Sequence, residues 1–233
     1  MVGFGKRITI VCGHYGSGKT NFAVNLAVKK KRQGSDVTLV DLDIVNPYFR
    51  SADFTEVLNA NGITTINPTF ANTNLDIPSL TANINGIFEQ KSRTAVIDVG
   101  GDDAGAAALG RYSNMLKEED DYDLFYMINS YRYLTKSPKE AVQILREIEA
   151  ASRVNATGII NNSNLSYDTS AQTVLASLDY ANAVASEAGI PIVATCYDKS
   201  LDKDISSLGG VTNPYPIDIY VKPPWEEKTE LKI

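Results

Sequence analysis

The chain has 233 residues, 43% of them hydrophobic and 21% charged, with a net charge of −6. This is ordinary globular composition, and the negative balance argues against a large electrostatic footprint for nucleic acid. No stretch approaches the ~20 apolar residues of a membrane span, and no Gly/Ser-rich, Pro-rich or charged linker divides the chain, so a single domain over 1–233 is expected.

The first predicted strand, about 7–12, is the apolar run Ile8-Thr9-Ile10-Val11-Cys12. It leads into Gly13-His14-Tyr15-Gly16-Ser17-Gly18-Lys19-Thr20, which fits the phosphate-binding pattern G-x-x-x-x-G-K-[ST]. Glycines let successive backbone N–H groups converge on an anion, the lysine reaches the β- and γ-phosphates, and the Thr20 hydroxyl ligates Mg²⁺. The helix that starts at Lys19 and continues through Asn21 aims its positive end at the same place. That helix is predicted over 19–33 with Gly34 as its stop, and its terminal Lys29-Lys30-Lys31-Arg32 complements the dipole and faces water.

Short strands follow at 37–41 and 63–66, then a helix near 77–90, a strand at 95–98 and a small-residue helix at 103–117. A strand at 124–128 precedes Ser137-Pro138-Lys139-Glu140, a capping box with proline at the first helical position, which opens a helix with Ala141, Ile144, Leu145 and Ile148 on one stripe. A strand at 157–160, a helix at 170–188 and a seventh strand at 190–194 complete the alternation. Continuous apolar strands between helices predict a doubly wound, mostly parallel α/β sheet, with ligands beyond the carboxyl ends of the strands.

Two strand ends there supply acids for Mg²⁺: Asp43, after the second strand, and Asp98, after the fourth. Gly101 follows Asp98 in a D-x-x-G turn whose N–H can sense a γ-phosphate. A single histidine, His14, rules out multi-histidine metal sites, and Cys12 and Cys196, without a C-x-x-C pair, argue against an iron–sulfur cluster held by one chain. A phosphate loop with two isolated cysteines suits the reducing cytoplasm.

The strings from Ile10 through Ala27 and Val37-Thr38-Leu39-Val40-Asp41-Leu42-Asp43 resemble the MinD/ParA branch of P-loop NTPases, which reads K-G-G-x-G-K-T-T-x-x-x-N-L-A and then V-L-L-V-D-x-D. The resemblance implies a P-loop fold of the SIMIBI type and a homodimer with Mg-ATP or ADP sandwiched between subunits. It implies that Gly13, His14, Tyr15, Gly16, Ser17, Gly18, Lys19, Thr20 and Asn21 contact the nucleotide. Asp43 would position the attacking water as well as serve the metal, and Asp98 would hold Mg²⁺ through water. The family's lysine that crosses to the partner's phosphates would fall at position 14, where this chain has His14, followed by Tyr15. The loop G-x-x-G-S-G-K-T is closer here to the nickel-insertion GTPases, and another cation, Arg111 or Arg132, would have to replace the missing lysine.

Guanine-specific relatives carry N-K-x-D after the sixth strand, whereas this chain reads Asn161-Asn162-Ser163-Asn164. The absent lysine and aspartate favour adenine, with Asn161 near the base. The leading expectation is an ATP-dependent switch or slow ATPase that acts on a partner protein through Asn46-Pro47-Tyr48-Phe49-Arg50 and Tyr131-Arg132-Tyr133. An ATP-dependent ligase of the dethiobiotin synthetase or cobyrinic acid amidase kind is the alternative, and a metallochaperone GTPase the third.

Overall fold

The computed structural model describes residues 4–43, 54–67, 84–101 and 103–222. Eight strands form one sheet: β1 (Ile8–Cys12), β2 (Val37–Leu42), β3 (Thr64–Ile66), β4 (Thr94–Val99), β5 (Tyr122–Ile128), β6 (Gly158–Asn161), β7 (Ile192–Asp198) and β8 (Pro214–Ile217). Their order is β3-β2-β4-β1-β5-β6-β7-β8, and every described pair is parallel. The doubly wound parallel architecture read from the sequence is therefore present, with β1 at the point where the strand order reverses.

Alternate residues of β1 enter opposite core layers: Ile8, Ile10 and Cys12 join one cluster, and Val11 the other. A strand covered on both faces needs apolar residues at every position, hence the absence of period-2 patterning. The first layer holds Leu109 of α4 (Asp103–Gly110), Leu116 of α5 (Ser113–Glu119), Leu145 of α6 (Pro138–Ser152) and Val184 of α8 (Leu178–Ala188). The second packs Phe22 and Leu26 of α1 (Lys19–Arg32) and Leu58 of α2 (Thr55–Ala60). The helix α3 (Asn85–Glu89) is the described part of the helix expected near 77–90, whose first residues lie outside the described ones.

Several boundaries differ from expectation for local reasons. The helix expected at 103–117 is two, α4 and α5; at their junction Gly110 presses against α6, where an added Cβ would meet the Ala151 carbonyl oxygen at 2.8 Å. The helix expected at 170–188 breaks into α7 (Ala171–Ala176) and α8 at Ser177, whose buried hydroxyl donates to the Val174 carbonyl at 2.7 Å. The eighth strand was not expected: Pro-Tyr-Pro-Ile lacks the donors of a central strand, and a sheet edge is where proline is tolerated. The helices α2 and α9 (Asp202–Leu208) also went unforeseen. The capping box at Ser137 forms as expected: its hydroxyl accepts from the Glu140 N–H, and the Glu140 carboxylate accepts from the Ser137 N–H. The basic end of α1 does not all face water. Lys30 is buried and donates to the carbonyls of Phe4 and Lys6 at 2.8 and 3.2 Å, and burial lowers its pKa.

Candidate functional site

The phosphate loop runs from the end of β1 into α1, bracketed by the ends of β4 and β5 on either side. Gly18 caps α1 in the left-handed conformation (φ 92°), and an added Cβ would strike the Asn162 amide. The helix begins with no side-chain cap and no acidic residue in its first turn, so its N-terminal field is not neutralised by a carboxylate of its own. Gly101 approaches the loop so closely that a Cβ there would lie 2.7 Å from the Tyr15 nitrogen and 3.0 Å from Lys19 Nζ. The D-x-x-G turn and the phosphate loop are thus in contact, as a γ-phosphate sensor requires.

Lys19 is buried, and its ammonium donates to the His14 carbonyl at 3.1 Å. His14 serves the loop by this carbonyl, while its ring Nδ1 lies 3.0 Å from the Tyr15 carbonyl. Ser17 is buried, with no hydrogen-bond partner for its hydroxyl.

Asp98 sits at the floor of the site, 1% exposed, and neither carboxylate oxygen finds a hydrogen-bond partner of normal geometry. Burial pushes its pKa up to about 8, and the neighbouring Asp41 adds to this; Lys19 and the Thr20 hydroxyl are near enough to favour the ionised form. A buried carboxylate left without partners is costly, and a hard cation is the chemistry that would satisfy it. Among the described residues no cluster of three or more His, Cys, Asp or Glu forms a complete cage. Mg²⁺ commonly takes one or two carboxylates together with phosphate oxygens and water. The buried Asp98 carboxylate beside the Thr20 hydroxyl is chemistry that would suit the metal the loop motif implies.

Asp41 was not assigned from the sequence. It is 1% exposed, lies in register beside Asp98 across β2 and β4, and accepts the Asp43 N–H at 2.8 Å. Its signal was available: a carboxylate inside a strand buried on both faces needs a reason. Asp43 is half-buried at the very end of β2, above Asp41.

Two expected contacts resolve differently. The Asn21 side chain is engaged away from the loop: its amide donates to the Asp218 carbonyl at 3.0 Å and its side-chain oxygen accepts from the N–H groups of Tyr220 and Val221, tying down the segment after β8 with help from Asn25. Asn161 is fully buried, donating to Ser177 at 2.9 Å and accepting from Ser163 at 2.7 Å, so its side-chain amide is occupied inside the fold. Its neighbour Asn162 reaches the phosphate loop instead, donating to the Ser17 carbonyl at 2.7 Å. Of the two candidate cations, Arg132 lies on the loop, its Nε donating to the Gly16 carbonyl at 2.9 Å, whereas Arg111 is exposed at the α4–α5 junction. Tyr131 and Tyr133 are exposed, and residues 46–50 lie outside the described ones. No helix among the described residues is long and apolar enough to cross a membrane.

Solved structures share this fold. The 54 kDa protein of the signal recognition particle from Aeropyrum pernix, in complex with GDP, aligns with 81% of this chain and 40% of its own at 15% identity and a TM-score of 0.51. The signal recognition particle receptor FtsY from Elizabethkingia anophelis, also with GDP, aligns with 79% of this chain and 55% of its own at 13% identity and a TM-score of 0.51. FtsY from Mycoplasma mycoides aligns with 79% of this chain and 57% of its own, at 16% identity and a TM-score of 0.50. The chain thus spans roughly half the length of these proteins. No protein-family model matches it, and none of the curated proteins does. Fold and loop together define a P-loop NTPase fold of the SIMIBI type. Likenesses at this identity show the fold alone and do not place the chain in the MinD/ParA branch that its loop sequences resemble.

Proposed function

We propose that the chain is a Mg-ATP-binding switch with slow hydrolysis, acting in the cytoplasm on a partner protein. One observation carries this reading: the buried, unpartnered Asp98 carboxylate under Lys19 and Thr20, at the floor of a glycine loop built for phosphate. Lys19 exchanges the His14 carbonyl for phosphate oxygens, and Thr20 and Asp98 hold the metal. Mg²⁺, when bound, neutralises charge on the phosphates. Asp43, at the mouth, orients a water toward the γ-phosphorus, with Asp41 fixing the Asp43 backbone from below. Gly101 reports the γ-phosphate through its N–H, since it already touches the loop.

The base is read as adenine because Asn164 stands at the fourth position of Asn161-Asn162-Ser163-Asn164, where an aspartate would accept the N1–H and 2-amino group of guanine. At the corresponding place, Asn164 spends its amide on the Asn162 carbonyl at 2.7 Å and its oxygen on the Ser166 N–H at 3.1 Å. Slow turnover is part of the proposal because a histidine stands at position 14, where the resembling family has a lysine that crosses to the partner's phosphates. A nucleotide-linked homodimer, and a partner reading the exposed Tyr131 and Tyr133, belong to the same proposal. Calorimetry with Mg-ATP and Mg-GTP tests it: ATP should bind at least about tenfold more tightly, a difference of about 1.4 kcal/mol. Tighter GTP binding would overturn the adenine assignment.

A further inference from the structure

We infer that Arg132 supplies, within the same chain, the permanent phosphate-facing charge that position 14 lacks. This rests on the nucleotide-site reading above. The sheet explains why Arg132 is there. β5 is the neighbour of β1, so the turn that leaves β5 hangs beside the loop that leaves β1. The turn is fixed from within. The buried Asn129 accepts the Tyr131 N–H on its side-chain oxygen at 3.0 Å, and its carbonyl accepts the Arg132 N–H at 3.2 Å and the Thr135 hydroxyl at 2.9 Å. Thr135 N–H then closes onto the Arg132 carbonyl at 3.1 Å.

The result is a guanidinium laid across the phosphate loop. Nε donates to the Gly16 carbonyl at 2.9 Å, and Nε and Cζ lie 3.2 and 3.4 Å from where a Gly16 Cβ would project. A guanidinium carries five N–H donors in a rigid fork. Nε uses one here, and the Nη groups make no hydrogen bond or ion pair among the described residues. A single bond to a neutral carbonyl would hold a loop equally well from an amide, as Asn162 does one residue on. What arginine adds is charge, on an exposed side chain at the edge of the phosphate loop. The charge comes from a rigid turn rather than from the loop itself and serves the phosphates of its own chain, so the contact across to a partner that a lysine at position 14 would make is still missing.

Three replacements separate charge from support. Arg132→Gln can still donate to the Gly16 carbonyl but has no charge; Arg132→Lys keeps the charge; Arg132→Ala keeps neither. Calorimetry with Mg-ATP at two ionic strengths is the readout, with Lys19→Ala as the control for the site and thermal unfolding as the control for the fold. The expected result is that Gln and Ala weaken binding by about tenfold or more, the weight of one charge-assisted contact. Lys should stay within about threefold of the parent, and the salt dependence should flatten in Gln and Ala only. If Gln binds like the parent while Ala does not, Arg132 is a loop support and the inference is wrong; if all three bind like the parent, it is equally wrong while the nucleotide site stands. If the parent binds neither Mg-ATP nor Mg-GTP, both readings fall together.

Discussion

Two loops meet at the candidate site, and they were built on different terms. The phosphate loop after β1 works through its backbone: glycines, N–H groups and a helix end, with Lys19 folded back on its own chain. The loop after β6 works through side chains drawn from a run of nearly identical residues, of which Asn161 turns inward, Asn162 grips the phosphate loop and Asn164 closes on its own turn. In the first loop the residue types dictate the conformation. In the second the same residue type does three jobs, and only the packing decides which.

Four replacements would break or sharpen that contrast. The largest effect is expected at Lys19→Ala, which removes the one buried cation of the loop and should weaken Mg-ATP binding by about a hundredfold, as the loss of a charge-assisted contact in a desolvated site; calorimetry checks it. Next, Asn161→Ala leaves Ser177 and Ser163 without their buried partner. It should lower stability by about 2–3 kcal/mol in urea unfolding while the folded fraction binds nucleotide as before. Full loss of binding by protein shown to be folded would return Asn161 to the site.

Asp98→Asn tests the floor of the site by pH. Folding raises the Asp98 pKa from 3.8 to about 8. The folded free protein then holds a proton that the unfolded chain has shed, and stability falls as pH rises through that window, levelling off above it. The asparagine variant escapes this loss. At pH 8 it should be the more stable protein by about 1–3 kcal/mol, or several degrees in thermal unfolding at about 2–4 °C per kcal/mol. It should also lose the stabilisation that Mg-ATP gives the parent. Equal pH profiles for the two proteins would mean that Asp98 is ionised and satisfied in the free state. The smallest effect belongs to Asn162→Ala, which removes one neutral hydrogen bond to the Ser17 carbonyl and should cost about 1 kcal/mol of Mg-ATP affinity, roughly fivefold, with little change in stability.

The contrast also marks how far the sequence can be read. The parallel sheet was legible because strands buried on both faces need unbroken apolar runs, as in β1 and β2. The edge strand β8 was not, because prolines at 214 and 216 disguise a strand that needs few donors. In the candidate site, the structure brings Asp98 near Lys19 and Thr20 and Gly101 against Tyr15, elements that the motif spacing had linked. Asp41 was passed over in favour of Asp43, since a strand-end acid looks more accessible than a buried one. Asn21 was expected at the nucleotide from the family resemblance, with nothing in the sequence to show what its side chain holds. Its partners lie almost 200 residues away, at Asp218 and Tyr220, and no local pattern carries a contact of that range. Arg132 was one of two arginines with no way to choose between them until the sheet order set β5 beside β1.

We propose that the phosphate loop and Asp98 form one metal–nucleotide site, in which burial raises the Asp98 pKa to about 8 and a bound cation would lower it. The most direct test is calorimetric titration of the parent with Mg-ATP at pH 7 in two buffers of different ionisation enthalpy, repeated with Asp98→Asn. The account predicts saturable binding that releases close to one proton in the parent and none in the variant, because a metal-facing carboxylate must be ionised. Binding with no proton released by the parent, or proton release that persists in Asp98→Asn, would contradict it.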